Sequence, residues 1–246
     1  MKVLSLGWGV QSFTLAAMCA LGDIERANVA LHADTTYERQ DTYHFAEKYM
    51  PWLEERGVNV FTVIASPKPD PISYYKRIAL PCYCYTKGML NRECTNNWKR
   101  RPMRQWLRLN HNREMIELWL GISTDEAARM KSSDVKYITH RWPLVEKRMS
   151  RGACIQWLQS HGLDIPVKSA CVFCPYHNAR EWQDIRKSED WSKVVEVDNA
   201  IRKAKPPYDL FLHPSRKPIK EVDLRTEEEK GQMRLWDEEC TGLCGV

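Results

Sequence analysis

The first 65 residues limit the fold of this chain most, because they alternate between two hydrophobic periods. Lys2 to Ser5 reads as a short apolar strand, Gly7-Trp8-Gly9 as a turn, and Val10 to Leu21 as a helical run closed by Gly22. Asn28 to Ala33 is a second apolar strand ending at Asp34-Thr35-Thr36. Phe45, Tyr49, Trp52 and Leu53 then share one helical face, which Pro51 is expected to kink. Val58, Val60 and Thr62 alternate with Asn59, Phe61 and Val63 in a third strand, and Ile116 to Gly121 reads as a fourth. Strand–helix–strand–helix–strand predicts an α/β fold: a Rossmann-like parallel twisted sheet with right-handed crossovers and helices on both faces.

Two regions are expected. Residues 1–135 form the α/β domain, with an inserted loop near 67–97 where the composition turns to Pro, Tyr and Cys. Residues 136–246 read as a helical, cysteine-rich lobe with a flexible C-terminal tail. A hydrophobic content of 43% with 28% charge excludes a disordered chain. No apolar run approaches the ~20 residues that span a bilayer, so no membrane association is expected. Met1 leads straight into a glycine-rich loop with no long apolar stretch after it, which argues against a signal peptide and for a cytoplasmic protein. Nine cysteines in such a compartment point to metal binding or thiol chemistry rather than disulfides.

The loop Ser5-Leu6-Gly7-Trp8-Gly9-Val10-Gln11-Ser12 joins the first strand to the first helix. Glycines let the backbone approach a phosphate, the helix start offers N–H groups, and Ser5 and Ser12 add hydroxyls. It lacks the Gly-Lys-Ser/Thr of a Walker A loop and the six-residue dinucleotide fingerprint. A ligand at the carboxyl ends of the strands would also meet Asp34 and Thr35.

Several stretches in this order resemble the phosphoadenylyl-sulfate (PAPS) reductase branch of the adenine-nucleotide α-hydrolase superfamily. The glycine loop is similar to that family's modified phosphate-binding loop. Ala33-Asp34-Thr35 with Asp41-Thr42-Tyr43 is similar to Asp-Thr-Gly…Glu-Thr-Tyr, and Lys99-Arg100-Arg101-Pro102-Met103 to Lys-x-x-Pro-Met/Leu. Gly121 to Arg129 resembles Gly-x-Arg-x-x-Glu-Ser-x-x-Arg, with Ser123 in place of the first Arg. Ser169-Ala170-Cys171-Val172-Phe173-Cys174 is similar to Ser-x-Gly-Cys-x-x-Cys, and the ending from Glu238 to Val246 to Glu-Cys-Gly-Leu/Ile-His, with the His absent and Cys244 added. The resemblance implies an adenine nucleotide held by Ser5, Gly7, Gly9, Gln11, Ser12, Asp34, Thr35, Lys99, Arg101 and Arg129. Gln11 stands where ATP-using relatives carry an Asp for magnesium, which favours a sulfonucleotide (PAPS or APS) over ATP.

The cysteines divide by position. Cys171-x-x-Cys174-Pro175 has metal-ligand spacing. With Cys94 and Cys154 it is expected to hold a 4Fe–4S cluster, zinc being the runner-up; Cys82 and Cys84 are held in reserve. Cys19, among Leu15, Ala16 and Met18, reads as core. The resemblance implies Cys240 as nucleophile, and the four-residue step to Cys244 suits a resolving thiol, with a thioredoxin-like reductant as partner.

From residue 98 to 113 there are six basic residues and no acid, interleaved with Trp98 and Trp106. This stretch is a candidate contact for the nucleotide or for nucleic acid. The expected function is therefore an oxidoreductase or sulfurtransferase acting on a small-molecule nucleotide. Two alternatives stay open: an ATP-dependent adenylating or thiolating enzyme acting on tRNA or DNA bases, and a non-catalytic zinc-stapled nucleotide- or nucleic-acid-binding protein.

Overall fold

The structure is a computed structural model, described for residues 1–72, 78–110 and 114–231. Its described residues divide into two compact units: Met1–Ser66 with Lys99–Ser169, and Pro67–Trp98 with the residues from Ala170 onward.

The first unit is built on a parallel sheet. β1 (Lys2–Ser5), β2 (Val29–Asp34) and β3 (Val60–Ile64) alternate with α1 (Val10–Leu21) and α2 (Gln40–Glu54). The sequence spans for β1 and α1 agree with the expectation residue for residue. α2 runs through Pro51 to Glu54. α1 stops at Gly22, whose φ of 82° is the left-handed conformation that glycine enters without a Cβ penalty. Later in the chain come the two-residue strands β4 (Tyr83–Cys84) and β5 (Gly88–Met89), then α3 (Arg101–Asn110) and β6 (Ile116–Trp119). β7 (Ile138–Arg141) follows, then α4 (Pro143–Glu146) and α5 (Arg151–Ser160).

The sheet order is β3-β2-β1-β6-β7, parallel throughout. Alternate residues of a strand face opposite sides, so each central strand feeds two cores. Leu4 and Ala30 pack with α1, α2 and α5 through Phe13, Tyr49, Leu53 and Leu158. Val3, Leu31, Ile116 and Ile138 pack with α3 through Leu107, Met103 and Trp106. Helices thus cover both faces, as the sequence order implied. Each fully buried side chain of this kind contributes roughly 1.5–3 kcal/mol of transfer free energy.

The chain after Tyr137, expected to be helical, begins with β7. Its hydrogen bonding beside β6 keeps residues up to Ser169 in the first unit, so the division does not fall at 135. Four residues carrying His140 and Arg141 are too short and too polar to announce a strand. The expected inserted loop belongs instead with the C-terminal residues as the second unit. There Tyr83 of β4 exchanges backbone hydrogen bonds with Phe211 at 2.8 and 2.9 Å. This unit also holds α6 (Ala179–Lys187) and α7 (Trp191–Ile201). Asp198 of α7, 1% exposed, is its polar centre: it accepts from Arg202, from the Leu212 amide at 3.3 Å and from the Ile219 amide at 3.0 Å. Among the described residues no helix is long and apolar enough to cross a membrane.

Candidate functional site

The chain leaves β1 toward β2 and β3 on one side, and the sheet continues through β6 and β7 on the other. The strand order therefore reverses at β1, and the crevice at its carboxyl end is where open α/β sheets receive ligands. The glycine loop lies at that edge. α1 begins at Gly9, which caps it with no side chain, so the first-turn amides keep the N-terminal partial charge of the helix for a ligand.

Three features hold the loop in shape. Ser12 Oγ accepts from the Gly7 amide at 3.1 Å and donates to the Gly9 carbonyl at 3.2 Å, so this hydroxyl buttresses the loop from within. Trp8 has φ 58°, uncommon for a residue with a side chain, and its indole is buried against Phe13, His32 and Phe45. Gly121, just beyond β6, lies so close to the start of α1 that a Cβ there would stand 2.8 Å from the Ser12 nitrogen. No larger residue fits without moving the helix.

The end of β2 supplies the second wall. Asp34 Oδ1 accepts from the Thr36 amide at 2.7 Å and from the Tyr43 hydroxyl at 2.9 Å. Burial, followed by the Asp34 hydrogen bond, pushes the Tyr43 hydroxyl pKa well up, so it stays protonated and donating. Thr35, 1% exposed, donates to Glu38 Oε1 at 3.2 Å. The Glu38 side chain is fully buried and pairs with Lys99 Nζ at 3.0 Å. Burial alone would raise its carboxyl, but Lys99 and the hydrogen bonds from Lys99 and Thr35 outweigh that and hold it below the usual carboxylate range.

Gln11 Nε2 donates to Glu126 Oε2 at 3.3 Å and lies 3.5 Å from Ser123 Oγ; Glu126 also pairs with Arg129 at 2.7 Å. Gln11 and Arg129, expected at the site, are thus linked through one carboxylate. Arg101 stands exposed at the start of α3. Of the basic stretch, Arg100 and Arg104 both pair with Asp134, and Lys99 with Glu38. Residues 111–113 lie outside the described residues, as do Cys240 and Cys244.

The four cysteines expected as metal ligands have different surroundings. Cys154 lies in α5, in the core of the first unit with Phe13 and Leu158, fully buried and hydrogen-bonded to Thr14. Burial pushes its thiol up to about 11, so it stays protonated in the core. Helical spacing hid this, because a cysteine at a core position reads like one at a site. Cys94, Cys171 and Cys174 belong to the second unit and are only partly buried. The Cys174 amide closes a turn on the Cys171 carbonyl at 2.9 Å, and His177 Nε2 meets the same carbonyl at 2.9 Å. Among the described residues no group of three or more His, Cys, Asp or Glu converges as a metal site. The four expected cysteines are divided between the units, Cys154 in the first and Cys94, Cys171 and Cys174 in the second.

Sequence reasoning passed over Glu38 and the close approach of Gly121. A lone acid after a strand gives no periodic signal. A glycine ending a strand reads first as punctuation.

Fold and site together define an α/β protein with a glycine loop and a helix start at the reversal point of a parallel sheet. Among solved structures it is similar to "Crystal structure of phosphoadenylyl-sulfate (PAPS) reductase from Candida auris, phosphate complex". The TM-score is 0.44 and the identity 10%, over 67% of this chain and 74% of that chain. No protein-family model matches the chain, and no curated protein does.

Proposed function

We propose that this chain is a PAPS reductase-like enzyme that binds an adenine sulfonucleotide at the glycine loop and carries out sulfur chemistry on it. The observation that carries the reading is the side-chain-free start of α1, locked by Ser12 and by the close packing of Gly121. Such a site accepts phosphate through amides alone. Gln11 supports a nucleotide without magnesium, because its side chain is a neutral amide and the carboxylate beside it, Glu126, is already paired with Arg129.

In the reductive form of the reaction the Cys240 thiolate attacks the sulfonate sulfur. A sulfur–sulfur bond forms, the sulfur–oxygen bond to the phosphate breaks, and the nucleotide leaves with the electron pair. Cys244 then attacks the Cys240 sulfur, releasing sulfite and leaving a disulfide. The two electrons gained by sulfur come from two thiols, which a thioredoxin-like dithiol restores. Of the expected ligands, Cys94, Cys171 and Cys174 are the partly buried thiols that would hold an iron–sulfur cluster or, as the runner-up, zinc, the metal itself drawing them together on binding.

Equilibrium binding of PAPS, APS and ATP tests the reading. Sulfonucleotide binding that needs no magnesium is expected. Binding of ATP alone, and only with magnesium, would sink it in favour of an adenylating enzyme.

A further inference from the structure

Glu38 poses a physical problem that the proposed site does not resolve. A fully buried carboxylate beside an anion-binding loop should repel the ligand. It is retained among three segments of the first unit: Thr35 at the end of β2 donates to it at 3.2 Å, Lys99 before α3 at 3.0 Å, and Ser169 after α5 at 3.4 Å. Ser169 in turn lies beside the glycine loop, its Cβ 3.6 Å from where a Cβ on Gly9 would stand. His32, buried on β2 with its Nδ1 2.9 Å from the Leu6 carbonyl, faces the same carboxylate.

Paired with Lys99, the carboxylate is neutralised and adds no net repulsion. What remains is geometry. A lysine ammonium sits on a flexible four-carbon stem and loses much rotamer freedom when it grips an anion. One N–H of Lys99 bonded to a buried, three-way anchored acceptor fixes that stem before the ligand arrives, and its side chain stays 28% exposed.

We infer that Glu38 is a positioning residue, which holds the Lys99 ammonium against the phosphate or sulfonate group of the nucleotide. The inference rests on the nucleotide reading above. Glu38 makes no ligand contact in this account; it acts only through Lys99.

The test is a double-variant cycle read by calorimetric binding of adenosine 3′,5′-bisphosphate and of AMP. Glu38→Gln is expected to weaken binding about tenfold. Lys99→Met should weaken it by at least as much, and Lys99→Met/Glu38→Met, which also removes the carboxylate left unpaired by Lys99→Met, should recover only part of that loss. The Met pair leaves no buried charge, so it keeps the comparison available if Glu38→Gln does not fold. A wild-type chain that binds neither nucleotide overturns the nucleotide reading and this inference with it. Wild-type binding with an unchanged Glu38→Gln affinity overturns the inference alone. So does a double variant that binds as tightly as wild type, which would make Glu38 a simple repulsive charge, or more weakly than Lys99→Met, which would give Glu38 a role independent of Lys99.

Discussion

The two units place their chemistry in opposite ways. At the sheet edge of the first unit the donors of the proposed anion site are backbone amides, fixed as soon as α1 packs on β1 and Gly121 meets Ser12. In the second unit the candidate groups are side chains: of its partly buried thiols, Cys94 opens a helical turn, while Cys171 and Cys174 flank a turn ahead of α6. A backbone site is built by the fold itself. A thiol site needs its ligands brought together as well, and the ligand that rewards this is often the metal.

The largest expected effect lies in the second unit. Asp198→Ala leaves Arg202 and two backbone amides without their buried acceptor, and should cost about 3–5 kcal/mol by denaturant unfolding. Retention of full stability would show that the second unit does not depend on this polar centre. Next comes Gly121→Ala, whose Cβ would clash with the Ser12 backbone. A loss of about 2 kcal/mol is expected, with at least tenfold weaker nucleotide binding. Gly9→Ala, whose Cβ meets nothing closer than 3.6 Å, serves as the mild control. Equal effects at the two glycines would break the idea that the loop is held by that one close approach.

Cysteine variants sharpen the comparison further. Cys154→Ser buries a hydroxyl in the apolar core and should cost about 2 kcal/mol, yet leave the metal content per chain unchanged. Under the proposed metal assignment, Cys171→Ser should abolish metal content with little change in stability of the first unit. Elemental analysis after anaerobic purification reads both, and metal loss in Cys154→Ser would restore that residue to the ligand set.

The smallest effect is a pH dependence. Burial, with Lys230 nearby, lowers His213 from 6.5 to about 4, and the Ser215 amide donates to Nδ1, which must then be unprotonated. The unfolded chain therefore binds the proton more tightly than the folded one. The stability from this group is present above pH 6.5 and fades as pH falls toward about 4. A loss of about 1 kcal/mol is expected, reduced by the partial exposure of the ring. Urea midpoints for His213→Gln across that range should run flatter than for the parent chain.

Much of the fold was legible in the residues. β1, α1 and the first crossovers follow from apolar period and from Gly22, because local patterning and tertiary packing agree there. β7 was not, since a four-residue strand with two basic or titratable side chains is stabilised by its neighbour β6 and not by its own pattern. The same division runs through the site. Ser5 to Ser12, Asp34 and Thr35 could be named from their place between strand and helix. Glu38 and Lys99, distant in the chain, become partners only when α3 packs against β2 and β3.

The sequence by itself determined the alternation of strand and helix, the glycine loop and the kinds of donor available. Only the tertiary structure decided which donors meet. It drew Cys154 into a core, tied Lys99 to a buried carboxylate and set Gly121 against Ser12. Composition and period are local properties; convergence of side chains depends on the path of the chain between them.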